Sequence, residues 1–164
     1  MEKIDALNQV AEFHKIFQHP IKGQPEIPSP TRCELRVSLI TEELEELKQA
    51  IEDNDIVEIA DALCDLQYVL SGAVLEFGLG SKFAELFREV QRSNMSKSCA
   101  TEEEAQQTVE HYQTTKNTPC YYEKVDGKYL VYRTGDRKTL KSVKYSPADL
   151  KSILQQDRVE SEAQ

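Results

Sequence analysis

Glu42-Glu43-Leu44-Glu45-Glu46-Leu47 is answered, after a short gap, by Glu58-Ile59-Ala60-Asp61 and then Asp65. Glu43 and Glu46 are three residues apart, as are Glu58 and Asp61, so on helices each pair shares a face. Two like charges about 5 Å apart repel by roughly 3 kcal/mol at an effective dielectric of 20. Desolvation adds several kcal/mol per buried ion. A hard divalent cation takes oxygen ligands and neutralises such a group. Apart from Cys64 no sulfur or imidazole stands nearby, which favours Mg²⁺ or Mn²⁺ over Zn²⁺ or a redox metal.

The elements that must position these acids are two helices. With Glu43 at zero on a helical wheel, Leu39, Ile40, Leu47 and Ala50 fall within about 60° of it. Glu43 therefore points into the apolar arc, Glu46 lies at its edge, and Glu42 and Glu45 turn away. This helix should span 31–51, with Ser29 as cap and Pro30 in its first turn. Asp53-Asn54-Asp55 breaks it. The next helix, 55–77, is apolar or small almost all round and should be buried on most sides, yet Glu58, Asp61 and Asp65 form one acidic row on it. Asp55 with Glu58 also resembles a capping box, a structural role that competes with ligation by Glu58.

Around this pair the chain reads as further short elements. Residues 3–17 form an amphipathic helix through Ile4, Leu7, Val10, Phe13 and Phe17. Pro20, Pro25, Pro28 and Pro30 mark a long connector packed over the bundle. A helix from Ser81 to near Arg92 precedes an Asn94-Met95-Ser96-Lys97 loop. Thr101 with Glu104 opens a polar helix to about Gln113, whose thin apolar face places it on the surface. Tyr121–Val125 and Lys128–Tyr132 flank Asp126-Gly127, a hairpin signal. Ser146-Pro147 starts a last short helix through Leu154, and a frayed tail follows from Asp157.

The 164 residues carry 20 Lys and Arg against 29 Asp and Glu, a formal charge of −9. That excludes nonspecific duplex DNA binding, which needs a basic surface. The basic residues concentrate in 123–144 and at Arg88, Arg92 and Lys97, and acids on one wall with bases on another suit a metal-bound phosphate. No signal peptide or membrane-spanning run is evident, and the four scattered cysteines read as reduced thiols, so a cytoplasmic protein is expected. One domain over 1–156 is expected, with 101–145 as an extension of surface helix and hairpin, and 157–164 as tail.

Glu42-Glu43-x-x-Glu46 followed by Glu58-x-x-Asp61 resembles the signature of the all-α NTP pyrophosphohydrolases, the MazG-like superfamily. The run Asp61 to Gly72, the Asn94-x-Ser96-Lys97 segment and Tyr145 to Leu150 are similar to the phosphoribosyl-ATP pyrophosphohydrolase-like branch. The resemblance spans about Phe13 to Leu154. It implies a mainly α fold, an all-α NTP pyrophosphohydrolase-like helical bundle, to which the Asp126-Gly127 hairpin signal adds a small C-terminal β-hairpin. It also implies hydrolysis of a nucleoside triphosphate between the α and β phosphates, giving monophosphate and pyrophosphate. Mg²⁺ would be held by Glu43, Glu46, Glu58 and Asp61, with Mn²⁺ as the alternative. Glu42, beside Glu43, would orient or deprotonate the attacking water. Asn94 and Lys97 would hold phosphate oxygens, Asp65 the sugar or a ligand, and Tyr68 a base.

Each residue also has a plainer role. Glu42 and Glu45 suit a solvated helix face, Tyr68 a core position, and Asp65 and Lys97 a supporting or surface role. His14, His19 and His111 are isolated in sequence and receive no site. A non-catalytic module that binds a nucleotide or partner is the alternative function. A carboxylate-bridged redox bundle ranks last, because neither acidic pair has the Glu-x-x-His spacing. The apolar surface of the two long helices exceeds what short neighbours can cover, so a homodimer or homotetramer is expected.

Overall fold

A computed structural model describes residues 2 and 4–161, with side chains through 155. The chain is mainly helical and carries one two-stranded antiparallel hairpin among the described residues. It divides into two compact units, Met1–Phe83 and Ala84–Gln164. No helix among the described residues is long and apolar enough to cross a membrane.

The first unit holds α1 (Ala6–Ile16), α2 (Pro30–Glu52) and α3 (Ile56–Glu76). Both α1 and α2 pack against α3. Ser29 stands at the start of α2 with Pro30 next, but its side chain makes no capping bond; its carbonyl accepts from Arg32 and Cys33 instead. Asn54 takes a left-handed φ of 55° between the helices, a conformation asparagine tolerates. Asp55 Oδ1 accepts from the Val57 and Glu58 amides at 2.9 and 3.2 Å. The Asp55 amide is itself given to the Ala50 carbonyl at 3.0 Å. The return half of a capping box is thereby taken, and the Glu58 carboxylate is left for other work.

The proline-rich connector lies along the end of α3. Lys22 and Glu26 donate backbone amides to the Leu75 and Phe77 carbonyls at 3.0 and 3.1 Å. Gly78 ends the helix at φ +69°, where a Cβ would stand 1.8 Å from the Gln24 carbonyl oxygen. Only glycine fits this left-handed, closely approached position.

The core of this unit is part apolar and part ionic. Val10, Ala50, Ala62, Val74 and Leu75 are buried, and so are His14, Arg36, Ser71 and Glu76. Glu76 is 0% exposed and accepts from Arg32 Nε on one oxygen and Arg36 Nε on the other. A buried carboxylate is tolerable when two guanidiniums hold it in this way.

The expectation that α3 is buried on most sides is not met in the single chain. Ile56 and Val57 are 74% and 69% exposed, and Leu63 and Leu70 are about half exposed. On α2, Val37, Leu44 and Ile51 are exposed as well. Ile56, Leu63 and Leu70 recur every seventh residue, as do Val37, Leu44 and Ile51, so each helix carries an uncovered apolar stripe.

The rest of α4 (Phe83–Met95) belongs to the second unit, with α5 (Glu102–Thr115), β1 (Cys120–Val125), β2 (Lys128–Arg133) and α6 (Leu150–Ser161). The strands pair from Cys120↔Arg133 to Val125↔Lys128 around Asp126-Gly127, whose positive φ values of 48° and 78° suit a tight hairpin turn. α4 runs past the expected end, so Asn94 and Met95 are helical and only Ser96-Lys97 turns. The helix is tied down there: Ser93 Oγ bonds Tyr145 Oη at 3.0 Å, and Arg92 donates to the Pro147 carbonyl at 2.9 Å. α6 continues to Ser161, and the remainder of the tail, 162–164, lies outside the described residues.

α5 is not confined to the surface. Ala105 and Thr108 are fully buried in a core with Cys99, Cys120, Val131 and Leu140. Its inner face is small and polar rather than large and apolar, which is why the apolar stripe looked thin. Thr101 caps the helix through the Glu104 amide. Glu104 is buried, accepts from the Ala100 amide at 3.1 Å and also holds the Ser142 hydroxyl.

Candidate functional site

The acids of α2 and α3 meet along the seam between the two helices. Glu43 is half-buried, and its Oε2 is shut off from solvent with no hydrogen-bond partner. Its carboxyl is held above the usual range, first by loss of water around it and then by the charges of Glu46, Asp65, Glu42 and Asp61. Four other acids are therefore close enough to act on one oxygen that nothing satisfies. An acceptor left bare in this way is costly unless a proton or cation meets it.

The row is shared between two neighbouring cavities. One, of about 320 Å³, is lined by Glu46, Asp53, Asp55, Glu58 and Asp61. The other, of about 280 Å³, is lined by Glu43 and Asp65 together with Phe13, His14, Arg36 and Tyr68. Glu46, Glu58, Asp61 and Asp65 are exposed, so the burial expected for the whole set applies to Glu43 alone. Water screens the others, and their mutual repulsion is correspondingly smaller.

These residues fit a hard divalent cation in chemistry: every donor is a carboxylate oxygen, and one is orphaned. As the side chains stand, no three His, Cys, Asp or Glu among the described residues converge on a single ion. The exposed members lie on the helix faces that line the two cavities.

Tyr68 is 39% exposed and meets Phe13 edge-on, with centroids 5.6 Å apart. Phe13 also stacks on His19 at 5.7 Å. Tyr68 thus belongs to an aromatic wall of the smaller cavity rather than to the core. Glu42 is exposed and lines neither cavity, and Glu45 pairs with Lys48 at 3.2 Å. Asn94 and Lys97 belong to the second unit, where Lys97 Nζ donates to Asn94 Oδ1 at 2.8 Å. The basic hairpin is likewise engaged locally: Arg133 pairs with Asp136, Arg137 with Glu123, and Lys124 lies over the Tyr129 ring.

Sequence reasoning missed His14, Arg32, Arg36 and Gly72, all of which line the smaller cavity. The signal was present for Arg36. It stands seven residues before Glu43, in the same arc of the wheel. Gly72 was visible too, as a missing side chain in a long apolar helix, which marks a close approach.

The family model described as phosphoribosyl-ATP pyrophosphohydrolase matches residues 10–94, more than half of the chain. That stretch contains both acidic helices and both cavities' linings. Uncharacterized protein L479 of Acanthamoeba polyphaga mimivirus is 25% identical over 244 aligned positions, covering 94% of this chain and 97% of that one.

Proposed function

Because this chain belongs to the phosphoribosyl-ATP pyrophosphohydrolase family, we propose that it is a metal-dependent nucleoside triphosphate pyrophosphohydrolase that cleaves between the α and β phosphates. Membership carries pyrophosphohydrolase activity in general. Glu43, Glu46, Glu58 and Asp61 hold the cation, Mg²⁺ or Mn²⁺. When bound, the cation supplies the positive charge that lets phosphate oxygens approach an acidic seam. Glu43 fixes the position of that charge, because its buried oxygen has no other partner. Asp65 and Tyr68, which line the cavity beside Glu43, are the residues we assign to the nucleoside, Asp65 to the sugar and Tyr68 to the base. Glu42, outward but adjacent, is the candidate to orient or deprotonate the attacking water.

The observation that carries the reading is the unpartnered Glu43 oxygen among four further acids. Pyrophosphate release across a panel of nucleoside triphosphates, with Mg²⁺ and with Mn²⁺, tests it. Release should depend on the metal and disappear in a Glu43→Gln/Asp61→Asn variant. Release no greater than that of the variant overturns the reading.

A second reading, a nucleotide-binding module without turnover, is favoured by the lack of three converging ligands among the described residues. Calorimetry that finds tight nucleotide binding beside zero hydrolysis selects it. For assembly we propose a homodimer or homotetramer, in which a second copy covers the exposed stripes of α2 and α3.

A further inference from the structure

Residues 123–144 carry seven Lys and Arg against three Asp and Glu, in a chain whose overall charge is −9. Two of those three acids are spent locally: Glu123 accepts from Arg137 at 3.0 Å, and Asp136 pairs with Arg133. Lys124, Lys128, Lys138 and Lys141 are exposed and have no carboxylate partner among the described residues. The hairpin region therefore keeps an excess of cations after its own ion pairs are made, and such an excess draws an anionic partner.

The hairpin has one committed face and one open face. α5 packs against both strands, and Cys120, Tyr122, Tyr129 and Val131 join the core there. Side chains alternate along a strand, so Tyr121 and Tyr132 stand on the opposite face. They are direct cross-strand partners, with ring centroids 6.0 Å apart and planes tilted by 44°. Both are only half-buried, and Val125 on the same face is 41% exposed. Lys128 stands opposite Val125 at the end of that face. The Arg137 guanidinium lies over the Tyr132 ring, 4.8 Å from its centroid.

These features narrow the partner. An acidic peptide or a lone phosphate would engage the lysines and leave the rings idle. A duplex keeps its bases stacked on one another and offers them to no side chain. A single strand offers both an anionic backbone for the lysines and unstacked bases for flat side chains. Tyrosine rings and guanidinium planes both accept a base by stacking, whatever its identity.

We propose that the outer face of this hairpin binds single-stranded nucleic acid. Bases stack on Tyr121 and on the Arg137–Tyr132 pair, and phosphates meet Lys128 and Lys138. The acidic remainder of the chain keeps the affinity modest and sensitive to salt. The inference uses residues of the second unit only and does not draw on the acidic row of α2 and α3.

The test is fluorescence anisotropy on the full-length protein at low salt, with short labelled oligo-U and oligo-dT. An abasic strand of the same length and polyglutamate serve as competitors. At least one oligonucleotide should bind, and the ratio of the two tells RNA from DNA. Affinity should fall with salt at a log–log slope of about −1.4, from two phosphates at about 0.7 each. Lys128→Glu/Lys138→Glu, at two exposed positions, should weaken binding at least about tenfold. Tyr121→Ala should weaken it at least about fivefold, the lower end for loss of one stacked base; the lysine variant and the competitors decide if Tyr121→Ala does not fold. No binding of either strand overturns the inference, and so does binding that the lysine variant leaves unchanged. Competition by the abasic strand or polyglutamate as strong as that of the unlabelled oligonucleotide also overturns it, because the patch is then a surface for any polyanion or for an acidic protein.

Discussion

Arg36 and Glu43 stand seven residues apart on one face of α2 and line the same cavity of about 280 Å³. Arg32, which with Arg36 holds the buried Glu76 carboxylate, lines it too, as does Asp65.

Arg32 and Arg36 clamp the buried Glu76 carboxylate, and breaking that cluster should be costly. Glu76→Gln leaves two guanidiniums facing a neutral group in a buried site. Urea unfolding should show a loss of about 3 kcal/mol, in the range for breaking a buried ion pair from one side. A loss below about 1 kcal/mol would mean that the pairs are solvent-screened and contribute as little as surface pairs do.

Stability should fall as pH drops below the imidazole range. In the folded chain burial depresses His14 below its ordinary value of 6.5. Between the two values the unfolded chain binds the extra proton, so the contribution is complete above 6.5 and is lost as pH falls through the folded value. The urea midpoint should decline between pH 7.5 and pH 5.5, and His14→Gln should flatten that decline. An identical slope in the variant would assign the effect elsewhere.

The acidic seam should respond to cations without any substrate. Mg²⁺ binding to the folded chain raises its melting temperature by mass action. The wild type should gain stability as Mg²⁺ is added, and Glu43→Gln/Asp61→Asn should gain none. Equal shifts in both proteins would place the cation somewhere other than these residues.

The apolar stripes should be closed by a second copy. Light scattering at micromolar concentration should report a dimer or tetramer. A charge at the middle of each stripe, Leu44→Glu with Leu63→Glu, should shift the mass to a monomer. A monomer in the wild type would contradict the proposal.

The sequence made the acidic helices legible because their signals are local. The three-residue spacing of acids, the Asp53–Asp55 break and the inward turn of Glu43 all follow from a helical wheel. The Asp126-Gly127 hairpin was legible for the same reason. The Arg36–Glu76 contact was not, because it joins residues forty positions apart and no periodicity relates them. The burial of α5 is not legible in its sequence because Thr108 and Glu104 bury polar groups that only their partners justify. Tyr68 and the isolated histidines gained meaning once α1 was laid beside α3, bringing His14 and Phe13 to the acidic row.

The most direct measurement is phosphorus NMR of the products formed from a panel of nucleoside triphosphates with the full-length protein and Mg²⁺. Monophosphate and pyrophosphate in equal amounts, absent with Glu43→Gln/Asp61→Asn, is the expected result. Diphosphate with orthophosphate, or no product beyond that of the double variant, would contradict cleavage between the α and β phosphates.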